Sequence, residues 1–161
     1  MHASETLSTY LQSVLVDLIE LHIQGKQAHW SVVGKNFRDL HLQLDEIILD
    51  ARIFSDEVAE RMRALDAMPD GRSETVTSTT QLPKFPDGEV DTAETVTLIT
   101  ERLDATVNNI RKVHDEVDAE DPTSADILHA IIEKLEQYSW MVGAENRKPR
   151  KRPAVKSSKA S

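Results

Sequence analysis

The chain has 161 residues, no cysteine, a low aromatic content and a net charge of −9. That length suits one compact domain with a sizeable core, and the missing cysteines exclude disulfides, thiolate metal sites and cysteine nucleophiles. No apolar stretch approaches the ~20 residues that span a bilayer, and no basic region followed by an apolar block marks a signal peptide, so a soluble, cytoplasmic protein without a membrane partner is expected.

Leu, Ile, Val, Ala, Glu and Asp are plentiful while Gly is rare, a composition that favours helices over strands. Leu7, Tyr10, Leu11, Val14, Leu18 and Leu21 recur in steps of three and four and predict a first helix, which Gly34 is placed to end. Asn36 is the predicted N-cap of a second helix reaching about Leu65, with Leu40, Leu44, Ile47, Ala51, Phe54 and Val58 on its core side. Pro69, Gly71, Pro83, Pro86 and Gly88 make residues 66–91 a long connection, with one short helix expected near 72–80. A third helix is predicted from Thr92 to about Ala119, supported by Val96, Ile99, Leu103, Val107, Ile110 and Val117. After Asp121-Pro122, Thr123 is the predicted cap of a fourth helix carrying Leu128, Ile131, Leu135, Tyr138 and Val142.

Short, long and short connections between four long helices point to an all-α four-helix bundle with one long crossover, and no internal repeat is visible. Residues 147–161 hold seven basic residues (Arg147, Lys148, Arg150, Lys151, Arg152, Lys156, Lys159) and no acidic one. Residues 1–146 hold 12 Lys/Arg against 28 Asp/Glu, a body charge of −16. A bundle over 1–146 and a disordered basic tail over 147–161 are therefore expected, the tail suited to phosphate contact without base readout.

Five residues carry metal-binding chemistry: His29, His41, Asp45, Asp56 and Glu60. Any one of them alone reads as a solvated helix face, whereas two imidazoles and three carboxylates together form an N/O donor set suited to iron, zinc or manganese. On a wheel of ~100° per residue with His41 at 0°, Asp45 falls near 40°, Asp56 near 60° and Glu60 near 100°. The core stripe of the same helix centres near −100°, so the ligands lie on the outside of the bundle, beside an apolar stripe of Leu42, Leu49 and Ile53. Asp45 and Asp56 are eleven residues apart, roughly 16 Å along the axis, too far to share one small metal centre. Two copies of the second helix, antiparallel about a two-fold axis, would set His41 and Asp45 of one subunit against Asp56 and Glu60 of the other, with His29 reaching the same pocket. Trp30 adjoins a ligand and Trp140 lies late in the fourth helix; packing is the default for both, with interception of oxidising equivalents the alternative for Trp30. Asp126-x-x-His129 is half of an intra-bundle di-iron motif, but no Glu-x-x-His occurs anywhere, which disfavours such a site. His22 and His114 read as ordinary surface or packing residues.

The stretch from His29-Trp30-Ser31 through Gly34, Asn36, Phe37 and Asp39-Leu40-His41 to Asp45 resembles the signature of the Dps family of mini-ferritins. Asp56-Glu57-Val58-Ala59-Glu60-Arg61, with Leu65 and Pro69 after it, does so too. The resemblance covers about 1–146 and implies a ferritin-like subunit with a short helix in its crossover, assembled as a homo-dodecamer, a hollow shell built on two-fold dimers. It implies a ferroxidase in which a two-iron site at the two-fold interface takes His29, His41 and Asp45 from one subunit and Asp56 and Glu60 from the other. Fe(II) would be oxidised to Fe(III) with hydrogen peroxide and the ferric mineral stored inside, protecting DNA from oxidative damage. Asp126 matches an acidic position lining a three-fold pore in relatives, with Asp118 and Asp121 as neighbouring candidates, while Pro122 stands where some relatives are acidic. Ser31 replaces the usual Asn after His-Trp. The N-terminal arm is nearly absent, so sequence-independent DNA binding and association with the nucleoid would fall to the C-terminal tail. Two other classes compete: a nucleoid-compacting structural protein with vestigial metal chemistry, and a hydrolase using interface metals, for which no substrate pocket is apparent.

Overall fold

The computed structural model describes residues 2–151. The chain runs α1 (Glu5–Ser31), β1 (Val32–Val33), α2 (Phe37–Ala64), α3 (Ser73–Thr79), β2 (Val90–Asp91), α4 (Thr92–Glu120) and α5 (Pro122–Ala144). Four long helices close into a bundle in which α1 packs on α2 and α4, while α5 packs on α4 and α2. The apolar positions read from the 3.6-residue period converge on one core; Tyr10 and Phe54 sit half-buried at its edge. Gly25 lets α1 and α2 approach, because a Cβ there would stand 3.0 Å from Ile48 Cγ1.

Two predicted helix boundaries change for identifiable reasons, and a third keeps its place without the expected capping bond. The first helix stops at Ser31, before Gly34, because Val32 and Val33 leave it to pair in parallel with Val90 and Asp91. Gly34 instead serves the following turn with φ +118°, a conformation disfavoured for other residues. Asn36 is not a side-chain cap: it is left-handed (φ 59°) and makes no capping bond. The cap of the last helix is Asp121 rather than Thr123, since the Asp121 carboxylate accepts from Ser124 N–H and Pro122 occupies the first turn. Ser4 and Asp91 cap α1 and α4 in the same way, accepting from Leu7 N–H and Glu94 N–H; each such cap contributes about 1 kcal/mol.

The crossover is fastened along its length by polar side chains of the bundle. Gln12 exchanges two hydrogen bonds with the Asp70 backbone, at 2.8 and 2.9 Å. Asp17, only 2% exposed, accepts from Thr80 Oγ1, Gln81 N–H and Asn109 Nδ2. Arg102, 1% exposed, donates to Gln24 Oε1 and to the carbonyls of Leu98, Pro83 and Lys84. Burial pulls the Arg102 pKa below its ordinary value, and Glu101 and Glu20 oppose that shift. Distributing the guanidinium's donors over neutral acceptors is what makes the buried charge tolerable.

Candidate metal centre

His29 ends α1 and His41 lies in the second turn of α2, so the short β1 turn folds the two rings onto each other. Their centroids are 3.6 Å apart with 23° between the planes. Each ring bonds the other's backbone: His29 Nδ1 donates to the His41 carbonyl and His41 Nδ1 to the His29 carbonyl, both at 3.0 Å. A carbonyl can only accept, so both Nδ1 atoms carry the hydrogen and both Nε2 lone pairs are left for a metal. Orientation of a ligand imidazole by a carbonyl bond is the usual outer support of a metal site. Phe37 adds a tilted contact to His41, with centroids 4.9 Å apart.

Asp45, one turn beyond His41, places Oδ1 3.3 Å from His29 Nδ1 and 2.8 Å from Lys26 Nζ. The Lys26 hydrogen bond, helped by His29 and His41, holds the exposed Asp45 carboxyl below its ordinary pKa. The sequence reading missed Lys26. Its signal was the three-residue step from Lys26 to His29, which sets both on one face of α1.

Asp56 and Glu60 are exposed farther along α2. The fold brings His29, His41 and Asp45 together and leaves Asp56 and Glu60 apart from them. Among the described residues, no three His, Asp or Glu side chains cluster to hold a metal ion. The apolar stripe between the two groups is uncovered, with Leu42 48%, Leu49 58% and Ile53 44% exposed. Leu49, Ile53 and Asp56 line a groove of 510 Å³ with Leu15 and Ile19 of α1 and Pro69 of the crossover.

The remaining candidates separate. Trp30, beside His29, and Trp140 on α5 are both largely exposed. Asp118 and Asp126 are exposed, whereas Asp121 is buried at the α4–α5 corner. Arg61 donates to Asp121 Oδ2 at 2.6 Å and to Ser124 Oγ at 3.1 Å, while Ser124 Oγ and N–H also bond the carboxylate. Burial pushes the Asp121 pKa up, but Ser124 and Arg61 together outweigh it and hold the carboxyl below its ordinary value. His114, read as an ordinary surface or packing residue, makes a tilted ring contact with His129, centroids 4.3 Å apart. Arg147, Lys148, Arg150 and Lys151 are exposed and outside any helix; Arg152, Lys156 and Lys159 lie outside the described residues. No described helix is long and apolar enough to cross a membrane.

Residues 8–151 match the family profile of the ferritin-like domain. The "DNA protection during starvation protein 2" of Deinococcus radiodurans is 34% identical over 134 residues, covering 83% of this chain and 56% of that protein. The chain therefore spans little more than half of that relative's length. The Agrobacterium fabrum "DNA protection during starvation protein" is 33% identical over 144 residues, covering 89% of both. Among solved structures, Dps from Microbacterium arborescens "in the high iron form" superposes with a TM-score of 0.83 at 28% identity, covering 90% of this chain and 97% of that one. A four-helix bundle with a polar-anchored crossover, a histidine pair closed onto itself and relatives at about one-third identity over most of this chain converge: the chain belongs to the Dps family of ferritin-like proteins.

Proposed function

We propose that this protein is a ferroxidase and iron-storage mini-ferritin whose oxidation site is completed only between two subunits. The observation that carries this reading is the splitting of the donor set. His29, His41 and Asp45 lie side by side but do not by themselves make a metal-holding cluster; Asp56 and Glu60 lie too far along α2 to complete it, and the stripe between them is apolar and uncovered. An antiparallel pair of α2 helices buries that stripe and closes two equal sites at once. In the larger assembly, twelve subunits form a hollow shell.

Iron is the substrate. The imidazole Nε2 atoms and carboxylates suit Fe(II), and the carboxylates favour the harder Fe(III) product. Two Fe(II) held together deliver two electrons to hydrogen peroxide, which with two protons becomes two waters, so no hydroxyl radical is released. For Asp45 to bind metal through Oδ1, Lys26 would have to leave that oxygen. Trp30, exposed beside His29, is placed to take a stray oxidising equivalent. Asp118 and Asp126 remain candidates for drawing cations towards a three-fold pore. DNA association is assigned to the basic tail, acting on phosphates without sequence preference near the nucleoid of the cytoplasm.

The test is an anaerobic Fe(II) titration followed by peroxide on the size-fractionated oligomer. Two Fe(II) consumed per peroxide, with that rate falling by two orders of magnitude or more in Asp56→Ala, supports the reading; equal rates in both proteins would sink it.

A further inference from the structure

The groove between α2 and α5 holds a pair that the proposed centre does not use. Tyr138 is 4% exposed, and its hydroxyl donates a 2.7 Å hydrogen bond to Asp50 Oδ2. Asp50 lines an open recess of 350 Å³ with Phe54, Glu133, Lys134 and Gln137. Its carboxylate thus meets the phenol on one side and solvent on the other. Lys134 Nζ stands 4.7 Å from the Tyr138 ring centroid and 3.9 Å from Asp50 Oδ2. On α2, Asp50 lies ~7.5 Å along the axis from Asp45 and ~9 Å from Asp56, on a face turned ~120–140° from both.

Each part bears on one-electron chemistry. Removing an electron from a buried phenol creates a radical cation, which low-polarity surroundings and the nearby ammonium disfavour. The electron therefore leaves readily only if the proton leaves with it, and Asp50 is the base already in contact. Burial, reinforced by the Asp50 hydrogen bond and charge, raises the phenol's pKa, so Tyr138 keeps its proton until it is oxidised. Burial also shields the resulting phenoxyl from radical coupling at the surface.

We propose that Tyr138 and Asp50 form a proton-coupled redox pair that absorbs oxidising equivalents escaping the iron centre. The source of its oxidant rests on the ferroxidase reading: a single Fe(II) meeting peroxide yields a hydroxyl radical. That radical gains one electron and, with a solvent proton, becomes water. Tyr138 supplies the electron, its O–H bond breaks, and the proton passes to Asp50 and out through the recess. A further Fe(II) returns one electron to the phenoxyl, with a proton coming back through Asp50, so the phenol is restored and Fe(III) is left.

The full-length assembled protein is treated with Fe(II) and then peroxide, freeze-quenched and read by electron paramagnetic resonance. A parallel arm uses radiolytic azide radicals without iron. A phenoxyl signal is expected in both arms, lost in Tyr138→Phe, kept in Tyr10→Phe, lowered about tenfold or more in Asp50→Asn and recovered in Asp50→Glu. A signal that survives Tyr138→Phe, or that Asp50→Asn leaves unchanged, overturns the pair, as does silence of the iron arm while Fe(II) is being oxidised. Failure of the protein to oxidise Fe(II) would instead overturn the ferroxidase reading, and the azide arm would then decide on Tyr138 alone. A hydrogen bond that only joined α5 to α2 would give no signal in the unaltered protein.

Discussion

His29 and His41 commit each other's Nδ1 hydrogens to backbone carbonyls. Their identities and spacing were legible in the sequence; this mutual locking was not, because the acceptors are main-chain oxygens that every residue has. Asp121 shows a local signal that the reading of the sequence passed over. As a carboxylate beside Asp118 and Asp126 it read as pore lining, yet Asp121-Pro122-Thr123-Ser124 is also a helix-start pattern, and the cap prevailed together with Arg61. Its depressed pKa means that the unfolded chain binds this proton more readily than the folded one. The stabilisation is therefore fully present above the ordinary carboxylate range and is lost as pH falls through the lower folded value. Asp121→Asn is expected to cost about 2 kcal/mol at neutral pH, with the difference from the unaltered protein shrinking as pH falls below the ordinary carboxylate range; thermal melts from acidic to neutral pH check this.

The long helices were legible as elements because their apolar period is sustained, and the outward placement of the ligands followed from the wheel. The β1–β2 pairing was not, since two residues per strand carry no periodicity. The crossover read as loop because its proline and glycine content says only that it is not helical. What fixes it comes from the bundle: Gln12, Asp17, Gln24 and Arg102. Arg102→Ala would remove the buried guanidinium and leave Gln24 Oε1 and the Lys84 carbonyl without their donor, while the Pro83 carbonyl keeps its bond from Gln24 Nε2. A loss of roughly 3–5 kcal/mol is expected from urea unfolding, with early proteolysis between residues 80 and 88. Undiminished stability would show that the crossover is held by its apolar contacts, Val76 and Leu82 among them.

At the scale of the whole molecule, an acidic body of net charge −16 would repel DNA, and the seven cations of the tail oppose that repulsion locally. A single tail would be a weak ligand, whereas a dozen on the proposed shell would gain avidity. Removal of residues 147–161 is expected to abolish the retardation of DNA on a gel while leaving peroxide-dependent iron oxidation intact. Retardation that persisted would place DNA contact elsewhere.

The split donor set has a genetic corollary. If each centre takes its histidines from one subunit and Asp56 from the other, two inactive forms of this protein should rescue each other. A subunit carrying His41→Ala and one carrying Asp56→Ala are each dead as homodimers. In a mixed dimer, both lesions fall in the same centre and the other centre is wholly unaltered. Co-expressed in equal amounts and paired at random, the two should regain roughly a quarter of the oxidation capacity. A site built within one chain would recover nothing, so complementation in trans reads the architecture of the centre without any need to see the metal.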